Sequence, residues 1–562
     1  DVFNIPNTKV VLHVKPVDKF KAIKRIDKCI GEMETKQIMS EKASEANSAE
    51  THRETMNALL DSLQTENESL LDVTLTITAY NYLDDDNYKK AVRRSIMTGN
   101  FKPSNLYGLQ IEGFKSSAIS PVSTLKNYER GINSSSLAAV FPFVRTFVMD
   151  DGGIMLGENK ANGFPFIFNM WKRGNLYQNS NGMIIGKSGS GKSFFLKSLI
   201  ANEWANDTRI IILDPEAEYL TLTKNLSGNL IDVGNAKEGR INPFHIYKIL
   251  TEDGLPADPV VTFNTHLKML ESFFKIVFVG ANSDVIELIN NLAVEAYARK
   301  GIYETTDCTG LNADDFPLFT DLLAVLREKN KEETDGLTLR DMRTAELYLQ
   351  KFVNGRYSDI WNAPSTLKVN ADLIDFNFQS LFANKNNTVA NAQMLLVFRF
   401  IEQEVINARE ANKSGKNLRT LIISDEAHLF IDAKFPIALD FFFSMSKRIR
   451  KYNGSFIPAT QNIADWNANE ELRSKTSAIL KNSQYTFIFK LSAPDMKDVL
   501  DVYKAGDSFN ADEQRMIISA VTGQVFFVGS TELRTCVKIT TGEYIKSLFE
   551  DKTGENYNKT CK

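Results

Sequence analysis

The sequence predicts an α/β fold in which a sheet-based core is interrupted by an all-helical insertion and preceded by a smaller α+β region. Three observations predict it. Short continuous apolar runs, such as Ile210-Ile211-Ile212-Leu213 and Leu421-Ile422-Ile423, have the length and β-branched content of strands buried on both faces. Between them, residues from about 250 to 380 carry helical periodicity only. Ahead of them, a charged helical stretch leads into Val73, Leu75, Ile77 and Ala79, the alternation of a half-buried strand.

A chain of 562 residues is too long for one hydrophobic core. Its 43% hydrophobic and 24% charged residues are those of an ordinary globular protein. The net charge of −4 supplies no bulk positive field for nucleic acid or anionic lipid. Cys29, Cys308, Cys536 and Cys561 are scattered without CxxC spacing, so neither a zinc site nor a disulfide framework is expected, as in a reducing cytoplasm. No apolar run is long enough to span a bilayer; Phe273 to Val279 is short and broken by Lys275. The chain opens at Asp1 without a methionine, signal peptide or basic targeting segment, and is expected to be a trimmed piece.

From residue 19 to about 68 the chain reads as long, exposed helix with weak apolar spacing (Ile30, Met33, Ile38, Met39, then Met56, Leu59, Leu60, Leu63). After the Val73–Ala79 strand, Asp84-Asp85-Asp86 is read as the cap of a helix carrying Tyr88, Ala91, Val92 and Ile96. The metal alternative lacks the glycine and distal glutamate of a calcium loop. A second region begins near Phe141-Pro142, giving expected domains of 1–141 and 142–562, with the insertion at about 250–380. Helices are expected over Thr265 to Val279, Asp284 to Lys300 and Phe319 to Lys329. Strands return at Leu421-Ile422-Ile423, Ser455-Phe456-Ile457, Tyr485 to Phe489, Val525 to Val528 and Cys536 to Ile539, and the polar tail after Phe549 is expected to fray.

The strongest chemical signal is Gly186-Lys187-Ser188-Gly189-Ser190-Gly191-Lys192-Ser193, a complete GxxxxGK[ST] phosphate-binding loop. Met183-Ile184-Ile185 reads as the strand entering it, and Phe195, Leu196, Leu199 and Ile200 as the helix leaving it, whose positive end points at the phosphates. Candidate nucleotide contacts are Gly186, Ser188, Gly189, Ser190, Gly191, Lys192, Ser193 and the following Phe194. Lys192 would reach the β- and γ-phosphates and Ser193 would ligate Mg²⁺, so ATP and magnesium are the expected cofactors.

Such a loop needs an acidic partner at the end of another buried strand, and Leu421-Ile422-Ile423-Ser424-Asp425-Glu426 supplies one. Asp425 is the candidate on the Mg²⁺ side and Glu426 the candidate that polarises attacking water. Two consecutive carboxylates point to hydrolysis; the competing reading is an N-cap pair. Asp425 stands 232 positions after Ser193, which requires an insertion in a minimal nucleotide-binding fold. The tetrapeptide Asp425-Glu426-Ala427-His428 matches one helicase box, but the Ser-Ala-Thr and QRxGRxGR elements of such helicases are missing, and His428 is read as a packing residue.

Three further clusters are ambiguous. Lys447-Arg448-Ile449-Arg450-Lys451 before Asn453-Gly454 is either a helix C-terminus whose cations complement the macrodipole or the source of an arginine finger for a neighbouring subunit's γ-phosphate. Thr460-Gln461 closes a strand, where Gln461 can sense phosphate or orient water, or simply form a turn. In Asp214-Pro215-Glu216-Ala217-Glu218-Tyr219, the acids Asp214, Glu216 and Glu218 at a strand's carboxyl end are auxiliary candidates for water or Mg²⁺, or surface helix-start carboxylates.

In order and spacing, these residues resemble the conjugation and type IV secretion ATPases of the TraC/TraE class, in the HerA–FtsK-like branch of RecA-fold P-loop motors. The resemblance runs over about residues 70–545 and rests on Pro142, Gly157-Glu158-Asn159, Gly163-Phe164-Pro165, the phosphate loop, Asp214 to Tyr219, Ile241-Asn242-Pro243-Phe244, Asp425-Glu426, Lys451 with Gly454, Thr460-Gln461, Leu480 to Ser483 and Gly523 to Glu532. It implies a RecA-like core and a cytoplasm-facing, membrane-associated ATPase, often hexameric, that powers assembly of or export through a transenvelope channel. It also implies an N-terminal domain that docks on membrane components of the channel. By position, Lys192, Ser193, Asp425, Glu426 and Gln461 take the family's nucleotide roles, and Arg448 or Arg450 that of the finger. DNA or relaxase-type cargo is compatible with the resemblance but is not indicated by the charge. The competing functions are a DNA translocase of the same fold, which needs a positive channel, and a nucleotide-gated scaffold with little turnover, against which the intact acidic pair argues.

Overall fold

The structure, a computed structural model, describes residues 7–550 except 41, 66–67, 81–84, 99–102, 119–122, 140–146, 176, 235–238, 248, 250–256, 368–370, 384–385, 414, 416, 433, 462–469, 504–507 and 530–532. Phe141, Pro142, Asp84, the polar tail after residue 550 and the start of the expected insertion lie outside the described residues. Two compact units are formed, Asp1–Arg145 and Thr146–Lys562.

In the first unit, strands β1 (Thr8–Pro16), β2 (Leu70–Ala79) and β3 (Arg130–Asn133) form an antiparallel sheet with β2 in the middle. The expected single long helix is instead a pair, Lys19–Met39 and Ala43–Thr65. Arg53 faces Glu34 across the pair at 3.8 Å, so the second helix runs back along the first. This buries Ala22, Ile26 and Leu63 against Leu70, which a lone exposed helix could not do. Asp85 accepts from the backbone N–H of Asn87 (2.8 Å) and Tyr88 (3.2 Å), the capping role read from the sequence. Among the described residues no group of His, Cys, Asp or Glu is arranged to hold a metal ion, and no helix is long and apolar enough to cross a membrane.

The second unit is built on an eleven-stranded sheet. Its strands are β4 (Ile154–Asn159), β5 (Pro165–Phe168), β6 (Gly182–Ile185), β7 (Thr208–Asp214), β8 (Asn229–Asp232), β9 (Leu373–Asn377), β10 (Arg419–Ser424), β11 (Gly454–Thr460), β12 (Tyr485–Ile488), β13 (Gln524–Val528) and β14 (Arg534–Ile539). Their spatial order is β5-β4-β14-β13-β12-β6-β11-β10-β7-β9-β8. From β12 to β8 every neighbouring pair is parallel; β13, β14, β4 and β5 continue the sheet antiparallel. Strands β6, β7 and β10 are buried on both faces along most of their length, which is why they contain unbroken apolar runs.

Helices Pro259–Val277, Ser283–Arg299, Phe319–Glu332 and Gly336–Val353 form the insertion. Asp258 caps the first, accepting from Val260 N–H at 2.8 Å, with Pro259 in its first turn. An aromatic cluster fills the interior: Phe319 stacks on Phe352 at 4.6 Å, and Phe273 meets Trp361 edge-on at 5.2 Å. Gln393 ties this cluster to the sheet side, accepting from Trp361 Nε1 (2.7 Å) and donating to the Val233 carbonyl (2.8 Å). The structure differs from the helices-only expectation at Leu373–Asn377. That segment is β9, inserted between β7 and β8.

His266 is buried and bonded to Tyr297 (2.7 Å), whose hydroxyl donates to the Phe244 carbonyl (2.5 Å). Since the hydroxyl proton is taken by that carbonyl, His266 Nε2 is the donor to Tyr297. Burial pushes His266 down to about 3 from its ordinary 6.5, so it stays neutral in the fold. The unfolded chain takes up the proton first as pH falls, so this contribution to stability is complete above pH 6.5 and is lost on acidification toward the folded value. Between pH 6.5 and 5 the loss is on the order of 2 kcal/mol. Urea midpoints at pH 7.5 and 5.0 should show it, and a His266→Gln variant should show a correspondingly flatter dependence.

Candidate nucleotide-hydrolysis site

The phosphate loop leaves β6 at the carboxyl edge of the sheet and is held from three sides. Gly186 N–H donates to the Thr460 carbonyl of β11 (3.1 Å), Lys187 N–H to Lys490 O (3.1 Å), and Gly523 N–H to Ser190 O (3.1 Å). A Cβ on Gly186 would lie 2.4 Å from the Phe489 Cβ, so the glycine is required by close approach. Gly191 adopts φ +107°, a left-handed conformation that turns the chain into the helix Lys192–Ala205. No side chain caps that helix, so its leading N–H groups remain open to an anion. Ser193 is half-buried in its first turn, and Phe194, beside it, is exposed and meets Phe549 edge-on at 5.5 Å.

Lys192 is only 4% exposed and folds back into the loop, donating to the carbonyls of Gly186 (2.8 Å) and Lys187 (3.4 Å). Its ammonium lies 3.8 Å from a Glu426 carboxylate oxygen. Glu426 itself has φ +40°, a left-handed backbone that costs a side-chain-bearing residue ~1–2 kcal/mol. One of its oxygens, Oε2, faces His428 Nδ1 at 3.2 Å yet makes no hydrogen bond. His428 is thus packed beside the acid.

Asp425 directly follows β10, and β11 lies between β10 and β6. Register pairs Ser424 with Pro458 and Thr460 with Ile185, so Gln461 emerges at the same edge as the phosphate loop and the acidic pair. Asp425 is buried, accepting from Tyr219 Oη (2.7 Å) and from Glu426 N–H (2.8 Å). Burial pushes its carboxyl up to about 6 despite those two bonds.

The remaining sequence candidates fall into three positions. Asp214 is buried at the end of β7 and caps the turn that follows, accepting from Glu216 N–H (3.2 Å) and Tyr219 N–H (3.0 Å). Glu216 and Glu218 are exposed. Glu216 is raised from the ordinary carboxylate range by partial desolvation and then by the Glu426 charge, which puts it within electrostatic reach of the acidic pair. Arg448 and Arg450 sit just before β11, at the amino edge of the sheet. The length of β11, on the order of 20 Å, separates them from their own chain's phosphate loop. Arg448 donates to Tyr452 Oη at 3.4 Å, and the segment ends at Asn453 in a left-handed conformation, as a helix terminus does. Tyr219, Phe489, Lys490 and Gly523 were not assigned as site residues from sequence; only their place in the family-like segments could have flagged Tyr219 and Gly523.

The donor set fits a magnesium–nucleoside triphosphate. It offers a buried cation, open helix N–H groups, hard oxygen donors from Ser193 and Asp425, and a second carboxylate with a hydrogen-bond-free oxygen. Glu426→Gln keeps the size and the buried position but removes the base, so turnover should fall by about 10²–10⁴-fold. Binding of a fluorescent ATP analogue should persist; loss of binding along with turnover would instead make Glu426 a structural partner of Lys192.

Residues 153–519 match the TraG P-loop domain family. An uncharacterized Bacillus anthracis protein, pXO2-09, is 21% identical over 572 residues, covering 94% of this chain and 87% of that protein. Protein TraC of Escherichia coli K12 is 23% identical over 375 residues, which is 66% of this chain and 39% of TraC. The solved structure of VirB4 of Thermoanaerobacter pseudethanolicus superposes with a TM-score of 0.58 at 28% identity, covering 71% of this chain and 99% of that one. With the family matched over well more than half its length and the site geometry above, the chain belongs to the TraG P-loop domain family, as a P-loop ATPase of the conjugation and type IV secretion class.

Proposed function

We propose that this protein hydrolyses Mg-ATP to power assembly of, or export through, a conjugative type IV secretion channel, working as a ring, as a hexamer, at the cytoplasmic face of the membrane. The observation that carries the reading is the convergence of Lys192, Asp425 and Glu426 at one sheet edge, with the β11 terminus between the loop and the acids. Bound Mg²⁺ would neutralise phosphate charge as the γ-phosphoryl group leaves. Ser188, Gly189 and Gly191 turn backbone N–H groups toward the phosphates, Gly186 and Ser190 shape the loop through their own bonds to Thr460 O and Lys187 O, and Phe194 borders it. Lys192 leaves its loop carbonyls for the phosphate oxygens. Ser193 and Asp425 hold the metal side, Glu426 takes the proton from attacking water, and Gln461 orients that water. Glu216 and Glu218 add negative charge at the rim, and Asp214 keeps their turn in place.

The ring accounts for the arginines. Arg448 and Arg450 are too far from their own loop to touch its nucleotide, so either can act as a finger only toward a neighbouring copy. Partners are membrane components of the channel, with the 1–141 region as the docking domain; DNA or relaxase-type cargo is compatible with this reading but is not indicated by the charge.

The test is ATP turnover against protein concentration, with and without DNA, beside Lys192→Ala. Turnover that rises with concentration, ignores DNA and disappears in the variant supports the secretion ATPase. Strong stimulation by DNA would replace it with a translocase, and binding without Lys192-dependent turnover with a nucleotide-gated scaffold.

A further inference from the structure

We propose that Tyr219 is a positioning residue for the metal-side carboxylate: its hydroxyl, anchored through Asp214, Thr223 and Asp375, fixes the orientation in which Asp425 meets Mg-nucleotide. This rests on the reading of Asp425 as the magnesium-side acid. Tyr219 is fully buried, and its hydroxyl donates to Asp425 Oδ2 at 2.7 Å. The other oxygen, Oδ1, accepts from Glu426 N–H at 2.8 Å. With one donor on each oxygen the carboxylate cannot rotate, and each oxygen keeps a lone pair for a metal or its water. A phenylalanine would fill the same space, so the hydroxyl is there for the carboxylate rather than for packing.

The tyrosine is in turn held at both ends of a short helix. Its N–H donates to Asp214 Oδ2 (3.0 Å), at the end of β7. Its carbonyl accepts from Thr223 N–H (2.9 Å), and Thr223 Oγ1 donates to Asp375 Oδ2 (3.2 Å). Asp375 is completely buried on β9, opposite Ile212 of β7. A buried acid in a sheet interior is costly unless it is needed, and here it anchors the helix Leu220–Asn225 that follows Tyr219. Sheet strands, not a loop, therefore set the position of the hydroxyl.

The experiment compares wild type, Tyr219→Phe and Asp425→Asn in the full chain. Three readouts are taken: Mg²⁺-titrated ATP turnover, Mn²⁺ binding in the presence of ADP by electron paramagnetic resonance, and fluorescent ATP-analogue binding in EDTA. In Tyr219→Phe, half-saturating Mg²⁺ and the Mn²⁺ dissociation constant should rise about 10–100-fold, with turnover recovered at saturating Mg²⁺ and metal-free nucleotide binding unchanged. An unchanged metal dependence overturns the proposal, as does turnover lost equally at every Mg²⁺ concentration. If wild type shows no Lys192-dependent turnover, the ATPase reading fails, and equal Mn²⁺ affinity in wild type and Tyr219→Phe would overturn the positioning role separately. Should Tyr219→Phe not fold, Thr223→Val decides: a shift in the same direction supports the anchored hydroxyl, and no shift overturns it.

Discussion

A buried positive charge organises this site. Lys192 is almost excluded from solvent and stands in the first turn of a helix whose own N-terminus is positive. Desolvation and dipole both disfavour the ammonium there, so it must be surrounded by oxygen. The loop carbonyls of Gly186 and Lys187 and the carboxylate of Glu426 supply it. None of these is an ideal permanent partner: the carbonyls are neutral, and Glu426 reaches the lysine only from a left-handed backbone. A triphosphate offers more negative charge at the same place without the strain. The acid that would act on water is held next to the cation that would hold phosphate.

The carboxylates around this charge differ by depth, and depth assigns their work. Asp375 and Asp214 lie inside the sheet edge; burial first, and for Asp375 then its neighbour Asp214, raise the pair above the ordinary carboxylate range. Groups in that setting suit anchoring, and each accepts hydrogen bonds from the segment after β7. Asp425 is as deeply buried, and burial pushes it up to about 6 even though Tyr219 and the Glu426 N–H stabilise its charged form. Glu216 and Glu218 are at the surface, where they shape potential and hold nothing rigid. One functional group therefore occurs here in three settings: bonded into the segment after β7, bonded to Tyr219 beside Glu426, and exposed at the surface.

Much of this was legible in the sequence, because the loop and the acidic pair are contiguous motifs on strongly apolar strands. Gly186 to Ser193 and Asp425-Glu426 identify themselves, and burial on both faces writes β7 and β10 as unbroken apolar runs. What the sequence hid is non-local. β9 is a five-residue strand with Asp375 at its centre, so its apolar run is interrupted by the very acid that makes it useful. Its neighbours β7 and β8 come from more than a hundred residues upstream, and no local period reports such pairing. Tyr219 was visible only as the last letter of a motif, since its importance lies in a 2.7 Å contact with a residue two hundred positions away. Phe489 and Gly523 clamp the phosphate loop in the same way, through the sheet order and not through sequence spacing.

The sheet also decides which groups of one chain can meet at its own site. In a parallel sheet every strand ends at the same edge, so Ile185, Ser424 and Thr460 deliver the loop, the acids and Gln461 together. The connections must return to the opposite edge before the next strand can start, and the basic segment Lys447 to Lys451 ends one of them, immediately before β11. The topology that concentrates acids at one edge thereby leaves these cations at the other, and no side-chain rearrangement can carry an arginine the length of β11. On the proposed reading, Arg448 or Arg450 would reach a nucleotide only from a second copy packed with its amino edge against the first copy's carboxyl edge. That contact joins two different surfaces, so it is heterologous, and repeated it closes only as a ring or runs on as a filament. In the closed form, nucleotide at each junction would touch two subunits at once, which is the physical means by which hydrolysis in one copy can move its neighbour.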